Sequence, residues 1–163
     1  MRILVTGSVC AGKTTFSCAL KNELAKLGHE FTYWNISDIV LANNLYITDA
    51  DNERLDTHVV DEDALITYLK AKLPETPNLI VDHHSFDIFR SSFFNLIILV
   101  TCVDDNGDFV ELHRRLVARK YNEEKITENI LVCRYGHFES ELKRMRTKIV
   151  IINTVNDKNS MLN

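Results

Sequence analysis

Residues Gly7-Ser8-Val9-Cys10-Ala11-Gly12-Lys13-Thr14 fit the spacing G-x-x-x-x-G-K-[ST], and that spacing carries a chemistry. A loop that wraps phosphates must turn several backbone N–H groups inward. This forces backbone angles that Gly7 and Gly12 adopt without a side-chain penalty. Lys13 supplies a point charge for the β- and γ-phosphates, and Thr14 a hydroxyl for Mg2+. A helix that begins at the loop adds its first N–H groups and its dipole to the same anion site. A glycine turn with a chance lysine is the competing reading, and the flanks decide against it. Arg2 to Thr6 reads as a short buried strand. Phe16, Leu20, Leu24 and Leu27 fall on one face of a helix, and Gly28 stands where a helix stops.

A second group of reactive side chains follows a second strand. Leu79-Ile80-Val81-Asp82 is an apolar run ending in a carboxylate, as expected of a parallel strand covered on both faces. Ligands of such sheets bind beyond the carboxyl ends of the strands, so Asp82 belongs to the same rim as Lys13 and can hold Mg2+ directly or through water. A capping aspartate is the plainer alternative. His83 and His84 follow at once, and side chains of successive residues point opposite ways in an extended chain. One of them faces the nucleotide and the other is structural; local sequence leaves open which. A histidine there can orient or deprotonate water. A third group, Arg114, Arg115, Arg119 and Lys120, lies on a helix expected from about Phe109. Arginines over phosphates suit phosphoryl transfer, which rests on positioning and charge neutralisation, and a solvated basic face accounts for some of them.

The elements that must carry these groups alternate strand and helix. Strands are expected at Phe31 to Trp34, Leu96 to Val100 and Ile149 to Ile152. Ser37 is expected to cap a helix after the second strand. Asp61 is expected to cap another, with Val60 and Leu65 as a hydrophobic staple and Leu65, Leu69 and Leu73 as its buried stripe. A further helix is expected from Glu123 to Arg146, broken near Gly136. The fold class is α/β: a P-loop domain on a five-stranded parallel sheet flanked by helices. At 163 residues, 45% hydrophobic, with 5 Gly and 2 Pro, a single domain over 1–163 is expected, with a real core and no long linker.

A net charge of −4 excludes a general nucleic-acid binder. Cys10, Cys18, Cys102 and Cys133 have neither C-x-x-C pairing nor zinc spacing and are expected to be reduced thiols of an intracellular protein. The chain enters its first strand at once, so no signal peptide is expected. The longest apolar run, Leu96 to Val100, is too short to span a membrane. The stretch from Asp49 to Asp63 sets seven acidic residues against the single Arg54. It reads as a solvated loop or as an acidic face for a basic partner. Lys143, Arg144, Arg146 and Lys148 read as charge near a helix end or as a contact for RNA.

Thr101-Cys102-Val103-Asp104 does not supply the N-K-x-D motif that a small GTPase needs, and the arginine-bearing helix instead suggests the lid of a nucleoside monophosphate kinase. Four segments resemble the adenylate kinase isoenzyme 6 family, also called the coilin-interacting nuclear ATPases. They are Gly7 to Thr15; Val60-Asp61-Glu62-Asp63, like the family's L-D-E-D; Ile80-Val81-Asp82-His83-His84, like I-V-D-[YC]-H, with Asp87-Ile88-Phe89 after it; and Arg115-Leu116 through Ile130, like R-L-x-x-R-G-Y-x-x-K-K-[IL]-x-x-N-I. The resemblance implies an ATPase and an adenylate kinase that acts in maturation of the small ribosomal subunit and its 18S rRNA. It implies a small-subunit ribosomal protein as partner, contact with pre-ribosomal RNA, and residence in nucleus and cytoplasm. It places ATP and Mg2+ on Gly12, Lys13, Thr14 and Thr15 with the Cys10 backbone, makes Asp82 the metal-associated carboxylate, favours His84 over His83 for a functional role, and sets Arg119, with Arg115 second, over ATP. About 35–59 would bind AMP and about 118–128 would form the lid.

Several positions depart from the pattern. Cys10 and Lys120 replace family glycines, Leu41 stands near an expected basic residue, and Arg90-Ser91-Ser92-Phe93 replaces P-E-R-W. The family's last, tryptophan-bearing helix has no counterpart before Asn163, which suggests a shortened, divergent member. Two other readings remain beside an ATPase or adenylate kinase: a kinase for another small molecule on the same scaffold, and an assembly chaperone that binds ATP with little turnover.

Overall fold

The structure, a computed structural model, describes residues 1–47, 59–85, 89, 93–142 and 146–155. Most of the acidic stretch, the Asp87-Ile88 pair, residues 90–92 and Lys143-Arg144 lie outside the described residues. In chain order the elements are β1 (Arg2–Thr6), α1 (Lys13–Lys26), β2 (Thr32–Asn35), α2 (Ile36–Ala42), β3 (Tyr46–Ile47), β4 (Val59–Val60), α3 (Glu62–Lys72), a 3-10 turn (Leu73–Glu75), β5 (Leu79–Asp82), β6 (Leu96–Thr101), α4 (Val110–Ala118), α5 (Glu123–Arg134), α6 (His137–Leu142) and β7 (Lys148–Asn153).

Five strands form a parallel sheet in the order β2-β5-β1-β6-β7. The short antiparallel pair β3-β4, which carries no periodicity in the sequence, stands apart from it. β1 is central, and its residues alternate between two apolar clusters. Leu4, Val81, Ile97 and Leu99 face one side, packed by Ile36 and Val40 of α2, Leu65 and Leu69 of α3 and Leu142 of α6. Ile3, Val5, Ile80, Ile98 and Val100 face the other, packed by Phe16, Leu20 and Leu24 of α1, Leu112 and Leu116 of α4 and Ile126 of α5. The period of two along each strand thus sends every second side chain to one layer, and covering both layers gives the near-continuous apolar runs.

Local signals set most helix ends. Asp61 Oδ1 accepts from Ala64 N at 3.0 Å, and Val60 and Leu65 meet in one apolar cluster, as expected of a cap with its staple. The α2 cap differs from expectation. Asn35, not Ser37, supplies it, with Oδ1 accepting from Asp38 N at 3.1 Å. The helix starts two residues earlier because β2 runs directly into it, leaving Asn35 extended and Ser37 already inside. Leu27 is also not part of the buried stripe. α1 ends at Lys26, and Leu27 lies 73% exposed beside Gly28, whose φ is +81°. The break expected near Gly136 separates α5 from α6, and Gly136 has a φ of +60°. No helix among the described residues is long and apolar enough to cross a membrane.

Candidate nucleotide-phosphate site

The loop between β1 and α1 is tied to the sheet on all sides. A Cβ on Gly7 would sit 2.1 Å from Val100 O, and Gly7 has a φ of +138°, so both space and backbone angle require glycine there. Gly12, with φ +106°, caps α1, which begins at Lys13. Cys10 adopts a left-handed φ of +63°, with its side chain half-buried against the apolar layer that holds α1. The cysteine thus holds a conformation that side chains disfavour.

Lys13 Nζ donates to Gly7 O at 3.0 Å and Ser8 O at 2.8 Å, so the ammonium lies within the loop's own curve. Burial pulls its pKa down from 10.5 to about 8, against the nearby Asp82 charge, which raises it. Thr14 Oγ1 donates to Asp82 Oδ2 at 2.6 Å. The same oxygen accepts from Tyr33 OH at 2.9 Å and from Asn35 Nδ2 at 3.2 Å. Among the described residues all of these hydrogen bonds go to Oδ2, so Oδ1 is left to a further partner. Burial, reinforced by the Asp82 carboxylate, raises the Tyr33 phenol pKa and keeps it a donor.

A hydroxyl and a buried carboxylate held together, with one carboxylate oxygen unengaged, are a hard-oxygen donor set that fits Mg2+. Among the described residues no group of three His, Cys, Asp or Glu could hold a metal. A cation at Thr14 and Asp82 would therefore take its remaining ligands from phosphate oxygens and water, the usual habit of Mg2+.

The two histidines differ in burial, although their rings are neighbours just beyond the end of β5. His83 is buried, its backbone N–H donating to Val5 O at 3.1 Å, and among the described residues its Nδ1 has no hydrogen-bond partner. Burial, with the His84 and Lys13 charges, lowers its pKa from 6.5 to about 3, so it is neutral at physiological pH. His84 is exposed at the rim. Its carbonyl accepts from Thr6 Oγ1 at 3.3 Å, and its ring stands 4.4 Å from that of His83.

The arginines divide too. Arg114 is exposed and paired with Glu111. Arg115 Nε donates to Glu111 Oε1 at 2.9 Å, while its Nη1 donates to Cys10 O, Ala11 O and Thr154 Oγ1 at 3.4, 3.2 and 3.0 Å. Arg115 therefore grips the outer side of the loop. Arg119 is exposed at the end of α4, close enough to the loop that its charge lowers the pKa of Cys10, although burial raises that thiol overall. Lys120, just beyond α4, takes a glycine-like φ of +61°. Thr15 lies exposed in the first turn of α1.

Sequence reading missed Tyr33, Asn35, Glu111 and Thr154. Asn35 ends β2 and Thr154 follows β7, so the rule that selected Asp82, applied to every strand end, would have found both.

Strand, phosphate loop, helix and strand-end carboxylate on a parallel sheet define a P-loop nucleotide-binding domain of the kinase-like kind. A family model described as an AAA domain matches residues 3–136. The chain is 35% identical over 128 residues to the adenylate kinase isoenzyme 6 homolog FAP7 of Saccharomyces cerevisiae, spanning 78% of this chain and 59% of that protein. It is 31% identical over 150 residues to the adenylate kinase isoenzyme 6 homolog of Caenorhabditis elegans, spanning 91% of this chain and 76% of that protein. Among solved structures, deoxyadenosine kinase from M. mycoides with bound dATP matches at a TM-score of 0.57 and 12% identity, over 99% of this chain and 95% of that one, a likeness of fold. The chain belongs to the adenylate kinase isoenzyme 6 family.

Proposed function

We propose that the protein is a Mg2+-dependent phosphotransferase that binds ATP, hydrolyses it, and transfers its γ-phosphoryl group to AMP. The observation that carries this reading is the Thr14–Asp82 pair at the rim of the sheet, 2.6 Å apart beside a lysine held in the loop. When bound there, Mg2+ would draw charge from the β- and γ-phosphates, the part of phosphoryl transfer that a protein cannot supply alone. Gly12 and the start of α1 offer N–H groups to the anion. Lys13 is cationic at pH 7 and would exchange its two loop carbonyls for phosphate oxygens. Asp82 holds Thr14 oriented, and Tyr33 and Asn35 hold Asp82. Arg119 has the reach of an exposed lid residue to neutralise the transferring group, and His84 the exposed position to orient an attacking water. Residues 35–59 would take AMP, and 118–128, the turn after α4 with the first half of α5, would form the lid.

The four family-like segments support a role in small-subunit and 18S rRNA maturation, in nucleus and cytoplasm. The partner would be a basic small-subunit ribosomal protein, drawn to the acidic composition of residues 49–63, with pre-ribosomal RNA near the exposed Arg146 and Lys148.

A second reading has a specific observation behind it. Leu41, where the family carries a basic residue nearby, is 50% exposed and offers an acceptor phosphate no charge. An ATP-binding assembly chaperone with little turnover fits that loss. ADP production from Mg-ATP, with and without AMP, measured against Lys13→Ala, tests both. A rise with AMP supports the kinase. Hydrolysis above the blank without such a rise supports an ATPase. No activity with tight ATP binding supports the chaperone. A response to another acceptor, but not to AMP, would place the chain among kinases for other small molecules.

A further inference from the structure

Thr154 lies just beyond β7, 143 residues from the loop it touches, and its hydroxyl is buried. Oγ1 donates to Ala11 O at 2.7 Å, nearer than the alternative acceptor Thr101 O at 3.1 Å. It accepts from Arg115 Nη1 at 3.0 Å, and that same nitrogen reaches Ala11 O at 3.2 Å. The Ala11 carbonyl is therefore held from two directions. The holders are themselves held. Thr154 N donates to Thr101 O at 2.9 Å, extending the β6-β7 ladder by one bond, and Glu111 steers Arg115 from within α4. The pair packs directly on the loop. A Cβ at Gly12 would come within 3.3 Å of Thr154 Cγ2 and 3.5 Å of Arg115 Nη1.

The Ala11 C=O and the Gly12 N–H belong to one planar peptide and point in opposite directions. Holding the oxygen outward therefore aims the N–H inward, toward the anion. An unheld peptide beside two left-handed residues, Cys10 and Gly12, has the freedom to turn over, because the glycine side offers little steric resistance. We propose that Thr154, acting with Arg115, is a positioning residue that latches the Ala11–Gly12 peptide and so presets the Gly12 N–H for phosphate. This rests on the nucleotide-binding reading above and adds a determinant from the far end of the sheet. It also gives Arg115 a task on the outer face of the loop, distinct from direct contact with phosphate.

Thr154→Val keeps the shape and removes the hydroxyl, and Thr154→Ser restores it. Two readouts on the full chain separate the latch from simple packing. One is Mg-ATP affinity by calorimetry. The other is the alkylation rate of Cys10 in the nucleotide-free protein, followed peptide by peptide because Cys18, Cys102 and Cys133 also carry free thiols. The valine variant is expected to bind Mg-ATP about tenfold more weakly, the scale of one lost buried hydrogen bond. It is also expected to expose Cys10 to alkylation several-fold faster, and serine is expected to return both values toward wild type. Should the valine variant fail to fold, Thr154→Ala removes the same hydroxyl with less bulk and is read in the same way. Unchanged Cys10 labelling overturns the latch whatever the affinity does, as does faster labelling with unchanged affinity or a folded serine variant that restores neither value. If wild type itself binds no Mg-ATP, the nucleotide reading fails, and the Cys10 rate alone then decides the latch.

Discussion

Thr14 Oγ1 and Asp82 Oδ2 lie 2.6 Å apart, joining the first turn of α1 to the end of β5. The bond fixes which carboxylate oxygen is engaged. It also explains why Tyr33 and Asn35 matter, since both donate to that same oxygen and keep the carboxylate from rotating. Asp82→Asn keeps the shape and removes the charge. ADP production at limiting Mg2+ is expected to fall by about 10- to 100-fold, the range for disturbed metal-site partners, with partial recovery as Mg2+ is raised. A Mg2+ titration of the rate checks it, and an unchanged Mg2+ dependence would remove Asp82 from the metal's surroundings.

The burial of Lys13 predicts a pH dependence of binding. In the free protein its ammonium loses its proton above about 8 rather than 10.5, and bound phosphates favour the charged form. Mg-ATP affinity is expected to weaken above pH 8 by up to about tenfold per unit, the limit for one linked proton. Lys13→Arg, whose charge does not titrate in this range, should show a flat profile even if its affinity is lower. Equal slopes for both proteins would show that the dependence has another source. For stability the sign is reversed. The unfolded chain holds this proton up to 10.5, so the burial penalty is fully felt below about 8 and is relieved as the pH rises between the two values.

His83 predicts acid sensitivity. Its folded pKa of about 3 lies below the ordinary 6.5, so the unfolded chain takes up the proton first. Stability is therefore expected to fall as the pH drops below 6.5, approaching about 1.4 kcal/mol per unit for a single proton until the folded pKa is reached. Denaturant unfolding of wild type and His83→Phe between pH 7 and 5 isolates this residue before the carboxylates titrate. The phenylalanine protein should show a flatter slope. Parallel slopes would mean that His83 opens to solvent readily.

Lys120 predicts a gain. It holds a left-handed backbone that glycine adopts without strain, and its N–H donates to Val117 O at 2.8 Å to close α4. Lys120→Gly is expected to stabilise the protein by about 0.5–1 kcal/mol, because relief of a disfavoured φ exceeds the added freedom of the unfolded chain. Thermal unfolding measures it. A loss of stability would mean that the Lys120 side chain contributes more than its backbone strain costs.

The sheet was legible because each of its strands announces itself locally. β1, β5 and β6 are apolar runs, and the spacing of the loop after β1, taken with its flanking strand and helix, points to one geometry. Asp82 was legible because its place at a strand end is a matter of order along the chain. What the sequence could not show was pairing across distance. Nothing near Thr154 says that its hydroxyl meets Ala11, and nothing near Arg115 says that its guanidinium turns toward loop carbonyls rather than outward. The Ser37 cap failed for a related reason. Asn35 and Ser37 both have capping side chains, and the end of β2, set by its pairing with β5, chooses between them. The β3-β4 pair is too short to leave any period to detect.

The contact between Ala11 and Thr154 also has a meaning in time. Synthesis places Ala11 of the phosphate loop 143 residues ahead of Thr154, with β2, β5, β6 and β7 made in between. Chain growth is slow beside the closure of a strand or a helix, so a nascent chain has ample opportunity to fold locally while its loop still lacks this partner. On the proposed latch, full nucleotide affinity would then be reached only once β7 and Thr154 are made, and a chain truncated before Thr154 would carry the full G-x-x-x-x-G-K-T signature without the piece that sets it.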